Sequence, residues 1–225
     1  MKWFANRRAP CPASGLVKHL LLIFFCIAAL CPLGAQVDDS FRQQVETIIK
    51  DFDRKDYEAV IAGVEATEAT GENAAFLENL RGAAYTKMKN YPAAKASFER
   101  ALEFSPGMFA ANFNLGELLF LQKEFEPARK WFQRMLIEDP RNELLQFKVF
   151  LCFLQMGDES GAQKALDAIR YPGDTPAWYY AQAAWEFSRD NKGRARDFLA
   201  GARYIFPGKT DIFDETFMDL GLPTR

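Results

Sequence analysis

Gly208-Lys209-Thr210 closes the stretch Phe206–Thr210 in the way a phosphate-binding loop closes, with a lysine for phosphate oxygens and a hydroxyl for a metal ion. That chemistry also needs a glycine five residues before Gly208 and a strand leading into the loop. Position 203 is Arg203 and no strand pattern precedes it, so the stretch reads as a turn and no nucleotide cofactor is expected. Asp51-Phe52-Asp53-Arg54-Lys55-Asp56 offers spaced carboxylates of the kind that hold calcium, but the glycine at the sixth place and the glutamate at the twelfth are missing. It reads as a loop between helices. Asp38-Asp39-Ser40 before Phe41 reads as a helix N-cap, where short side chains accept from free backbone amides. Arg189, Lys192, Arg194 and Arg196 make a small basic patch that Asp190 and Asp197 dilute, so a solvated helix face is expected rather than a nucleic-acid site.

The missing residue types are as informative. The only histidine, His19, and three of the four cysteines, Cys11, Cys26 and Cys31, fall in the first 35 residues. The remaining chain has Cys152 alone and no histidine, which excludes Ser-His-Asp and Cys-His catalysis, histidine metal sites and any disulfide within that body. No catalytic, metal-binding or cofactor residue is therefore assigned, and the chain is read as not an enzyme. Cys152 lies in the apolar run Val149–Leu154 and is expected to be a buried thiol; an intermolecular disulfide is the alternative.

Those first 35 residues hold four of the 28 basic residues and none of the 30 acidic ones, which leaves the body with 24 against 30, a net charge of −6. An acidic body is a poor match for phosphate backbones or anionic lipid. After the basic flank comes Leu20–Leu30, an apolar run of signal-peptide length that is short for a span of ~20 residues. Pro32, Gly34 and Ala35 follow, so cleavage after Ala35 is expected, with an uncleaved anchor over 19–35 as the alternative. Cys26 and Cys31 follow bulky residues and do not suit lipid attachment. The expected location is the periplasm or the outside, or else the inner membrane with the body facing the periplasm.

The body must position its side chains on helices, because it repeats with a period of 34. Ala94, Ala128 and Ala162 are 34 apart, and Ala195 follows 33 later. Phe98 and Phe132 keep the spacing, continued by Leu166 and Leu199. Pro106 and Pro140 share it, Asp174 interrupts it, and Pro207 restores it. Tyr57, Tyr91 and Phe125 form an aromatic column, and Gly82, Gly116 and Ala183 a small-residue column broken by Phe150. Each unit reads as two helices. In Phe109–Gln122 the apolar residues cover a wide face; Pro127–Leu136 is the partner helix, with proline in its first turn. Alanines allow close helix crossings, and the phenylalanine four residues on fills the space beside each.

This pattern resembles the tetratricopeptide repeat. The fullest copy is Gly82, Tyr85, Ala94, Phe98, Ala101, Pro106; a second is Leu115-Gly116, Ala128, Phe132, Pro140, with Met135 where an alanine is usual. A degenerate copy near 143–175 keeps Ala162 and the turn Met156-Gly157-Asp158, and another near 176–209 keeps Ala183, Ala195, Ala202 and Pro207. Upstream, 41–74 fits through Tyr57. The family's early tryptophan is absent from the good copies. The resemblance implies an all-α, right-handed α-solenoid of helix-turn-helix repeats at about 41–74, 75–108, 109–142, 143–175 and 176–209. The amphipathic stretch within 210–222 would then be a capping helix over the last hydrophobic face.

The resemblance also implies a concave groove lined by the first helix of each unit. Its residues would be Phe76, Asn79 and Ala83; Phe113, Glu117 and Phe120; Phe147, Leu151 and Leu154; and Tyr180, Ala184 and Phe187. Family members that clamp a carboxylate terminus use lysines among such positions. Here Asn79, Ala83, Leu151 and Gln155 stand at most of them, and Asn114 and Lys148 do not restore the clamp. An apolar groove suits an amphipathic helix or an extended peptide from a protein partner. Ordinary core burial of the same aromatic stripe is the alternative, as is occupation by the 210–220 helix of this or a neighbouring chain. The expected function is a non-catalytic exported scaffold for protein–protein interaction in the cell envelope, without nucleic acid and touching a membrane only through residues 1–35. A self-assembling homo-oligomer is an alternative. So is an envelope enzyme or glycan-binding module using carboxylates such as Glu117, or Trp178 and Trp185.

Overall fold

The computed structural model describes residues 39–224, and the expected export segment with its cysteines lies outside them. The described residues form eleven helices and no strand: α1 (Asp39–Asp53), α2 (Tyr57–Ala66), α3 (Gly71–Lys87), α4 (Tyr91–Phe104), α5 (Phe109–Leu121), α6 (Phe125–Glu138), α7 (Glu143–Gln155), α8 (Glu159–Ala168), α9 (Ala177–Ser188), α10 (Lys192–Ile205) and α11 (Asp211–Asp219). Helices α1 to α10 pack as successive antiparallel pairs. The first helices of neighbouring pairs also touch, α3 with α5 and α7 with α9. The all-α solenoid expected from the period is what the chain adopts.

The turns inside the pairs explain the period in backbone terms. Lys55, Lys89, Lys123 and Asp190 have φ of 64°, 60°, 63° and 59°, and Gly157 has 72°. They recur at the same place in every pair, and each ends its helix in a left-handed residue. The amide after each closes a wider loop onto the helix just ended, as in Asn90 N–H to Tyr85 O at 2.9 Å and Glu124 N–H to Leu119 O at 2.9 Å. Asp56, Asn90 and Asp158 then cap the second helix, accepting from Ala59, Ala93 and Gly161 amides at 3.1, 3.4 and 2.8 Å. Glu124 stands at the same place without a side-chain cap bond.

Between helices of a pair, size complementarity sets the fit. A β-carbon on Gly82 would lie 2.4 Å from Phe98 Cε1, and one on Gly116 would lie 2.5 Å from Phe132 Cε1. These glycines exist so that a phenylalanine can lie on the backbone. In the next pair the small column carries Phe150 and the large column carries Leu166, both buried in one cluster. The bulk has changed sides, which is why the glycine column breaks there. The missing proline at 174 has its own substitute. The loop before α9 is held by the buried Glu143 carboxylate, which accepts from the Asp174 and Thr175 amides, both at 2.9 Å.

Candidate functional site

The site is built by the first helices of the last four pairs. Each carries one stripe toward its partner helix and another toward the inner face. Across that face lies α11. It was expected as a cap, and it does bury Phe213 and Phe217; its seat, though, is the inner face itself. Phe213 packs on Phe147 and on Tyr180, both with ring centroids 5.2 Å apart. Phe217 meets Tyr180 at 5.0 Å and Phe187 at 6.4 Å. At the far side, Glu215 pairs with Lys87 of α3. A nine-residue helix is roughly 14 Å long, whereas a straight row from α3 to α9 would span about 27 Å at typical helix spacings. One short helix nonetheless touches both α3 and α9 through side chains, as a helix lying along the inner face of a curved solenoid does.

Polar contacts fix the register of α11. Lys148 of α7 donates to Glu117 Oε2 of α5 at 2.6 Å and to Thr216 Oγ1 of α11 at 2.8 Å. Its ammonium also lies 4.8 Å from the Phe120 ring centroid. Asp214 of α11 accepts from Tyr180 O–H at 2.5 Å and from Arg203 Nη2 at 2.9 Å. Burial dominates the electrostatics. It pushes the Glu117 carboxyl up, against the opposing pull of Lys148. Burial also raises Asp219, which Lys148 and Lys87 draw down, and lowers Lys87, which Asp219 draws up. Burial raises the Tyr180 phenol, and the bond to Asp214 adds to it.

The residues expected to line an open groove are therefore mostly covered. Phe147 and Tyr180 lie under α11, with half-buried Phe187 at its edge. Glu117 is buried beside Lys148. Phe113 and Leu151 are fully buried in the core, Phe113 packing on Phe132 at 5.6 Å. Phe120 is buried against Phe125, and Phe76 belongs to the separate core of the first two pairs. Buried Asn79 accepts from Asn114 Nδ2 at 3.0 Å, while Asn114 Oδ1 is buried without a hydrogen-bond partner. Leu154 is half-buried. Sequence reasoning missed the contacts that Lys148, Lys87 and Arg203 make with α11. A signal was present: Lys148 is the one basic residue in the apolar helix Glu143–Gln155, and Glu117 the one acid in Phe109–Leu121. Lone charges on all-round apolar helices must find each other.

Other candidates resolve simply. Cys152 is a free, buried thiol, pushed up to about 12 by burial, as the core reading expected. Gly208-Lys209-Thr210 forms the turn into α11, with Gly208 at φ 73°. Asp51 pairs with Arg54 at 3.2 Å in the α1–α2 turn. In the basic patch, Arg194 pairs with Glu186 at 3.3 Å and Lys192 with Asp190 at 3.0 Å.

Comparison with known proteins agrees with this architecture. Residues 79–143 match the family model for the tetratricopeptide repeat. Among solved structures, a tetratricopeptide repeat protein from Parabacteroides merdae ATCC 43184 is 18% identical with a TM-score of 0.56, over 82% of this chain and 75% of its own. MamA from Desulfovibrio magneticus RS-1, from residue 41 to its end, is 13% identical with a TM-score of 0.52, over 74% of this chain and 95% of its own. At these identities the likeness is one of fold. No curated protein matches the sequence. Proteins of this repeat class are in general interaction scaffolds that bind protein partners, and that is the class this fold defines.

Proposed function

We propose that this protein is a non-catalytic scaffold, exported across a membrane through residues 1–35, that holds a protein partner on its concave face. One observation carries the reading: the concave face receives a helix side-on, through aromatic seats at Phe147, Tyr180 and Phe187 and cations at Lys87, Lys148 and Arg203. This is helix-in-groove recognition, with anchors one turn apart. The basic flank and the apolar run Leu20–Leu30 support export.

Crosslinking in native membranes with the full chain, followed by mass spectrometry, tests both parts. A specific partner crosslinked to α7, α9 or α11, and a mature mass beginning at Gln36, are the expected results. No specific partner across repeated preparations would sink the scaffold reading. A mature mass retaining residues 1–35 would replace export and release by membrane anchoring.

A further inference from the structure

We propose that the seat of α11 is a docking site for an acidic, aromatic amphipathic helix of a protein partner, and that α11 is its resident, displaceable occupant. The proposal rests on the scaffold reading and deepens it by naming the chemistry of the partner. The occupant itself defines what fits. Phe213 and Phe217 lie one turn apart on the buried side of α11. Asp214 and Glu215 carry the charges that Arg203 and Lys87 meet, and Thr216 Oγ1 accepts from Lys148. A competing helix needs aromatics at i and i+4 and carboxylates at i+1 and i+2.

Three features suit a seat that opens. Its floor is charged: Lys148 and Glu117 are buried together, and Glu117 Oε1 has no hydrogen-bond partner. A permanent core would be served at least as well by apolar residues at those places; a floor that alternates between covered and wet is hydrated again each time it opens. The occupant is short, nine residues, and Thr210 makes no side-chain cap bond to it, so its helicity depends on being docked. It is joined to α10 by residues 206–210, a connector containing Gly208 in the left-handed region, and its outer side carries exposed Met218.

The probe is a fluorescent synthetic peptide with the sequence of residues 208–224, titrated against the full chain. In the native chain the tethered α11 competes at high effective concentration. With Phe217→Asp, or with Glu215→Lys combined with Asp219→Lys, that competition weakens, and the peptide binds on the order of tenfold more tightly or better. A control peptide with Asp at both phenylalanines does not bind. Equal binding to native and variant chains, or none to variants with native helicity, overturns the proposal. If the variants lose helicity, amide hydrogen exchange on the native chain decides. Faster exchange in α11 than in α7 and α9 supports displacement, and equal exchange overturns it. A membrane partner captured equally by native and variant chains leaves the scaffold reading standing and removes the displaceable helix. Peptide binding without any membrane partner does the reverse.

Discussion

Lys148 Nζ lies 2.6 Å from Glu117 Oε2, with its side chain fully closed off from water and that of Glu117 nearly so. The two come from different repeats, and neither charge is tolerable there without the other. Lys148→Met leaves the Glu117 carboxylate buried and uncompensated, at a cost of about 3–5 kcal/mol, whereas Lys148→Met with Glu117→Leu stays within about 1 kcal/mol of the native chain or exceeds it. Urea unfolding followed by far-UV circular dichroism measures both. A double variant as weak as the single would show that the pair is not the source of the loss.

Gly82→Ala drives a β-carbon into the Phe98 ring, and Gly116→Ala does the same at Phe132. Each is expected to destabilise by about 1–3 kcal/mol. Thermal unfolding of either single variant checks this. Adding Phe98→Leu to Gly82→Ala should recover part of the loss, since the fourth pair already places bulk on the other side at Phe150 and Leu166.

The left-handed turn positions give a prediction of opposite signs. Lys89→Gly or Lys123→Gly relieves a β-carbon at φ 60° or 63°. Each should stabilise by on the order of 0.5–1 kcal/mol, after the entropy that glycine adds to the unfolded chain. Gly157→Ala at φ 72° should destabilise by a similar amount. Equilibrium unfolding midpoints that all move in one direction would contradict this account of the turns.

Cys152 should not react with iodoacetamide in the folded chain, because burial keeps its thiol protonated and out of reach. Peptide mass mapping is expected to find residue 152 alkylated only in denaturant. Labelling under native conditions at the rate of a free thiol would mean that α7 opens readily.

Glu126 is held down to about 2 by its hydrogen bond to Arg129, with Lys130 adding to it. A depressed folded value gives stability that is present above the ordinary value of 4.5 and lost as pH falls toward 2. Glu126→Gln should therefore lower the urea midpoint slightly at pH 7, and the gap should narrow as pH falls through that window. The carboxylate is exposed, so the gap should also shrink in 1 M salt, about an order of magnitude above physiological screening. A gap that widened toward pH 3 would have the wrong sign.

Much of this protein was legible as a one-dimensional code. Helix pairs are local structures, and their requirements recur with the chain: a small residue where Phe98 or Phe132 lies on the backbone, an Asp or Asn at the cap, a proline after the second helix. The absence of histidine and of paired cysteines in the body was likewise a matter of residue type alone. Composition and period therefore determined the class of fold and the kinds of chemistry excluded. They also supplied the stripe containing Phe147, Tyr180 and Phe187, though not what covers it.

Only the tertiary structure decided that. The curvature of the row, and with it the meeting of Lys87, Lys148 and Arg203 with Glu215, Thr216 and Asp214, depends on rotations summed over successive pairs. Lys87 and Glu215 are 128 residues apart, and no local preference relates them. An amphipathic helix at the end of a solenoid satisfies the same hydrophobic pattern whether it caps the last pair or folds into the groove. What separates the two outcomes is the long-range match of two aromatics and two acids to a concave, cationic surface, which exists only once the preceding repeats have packed.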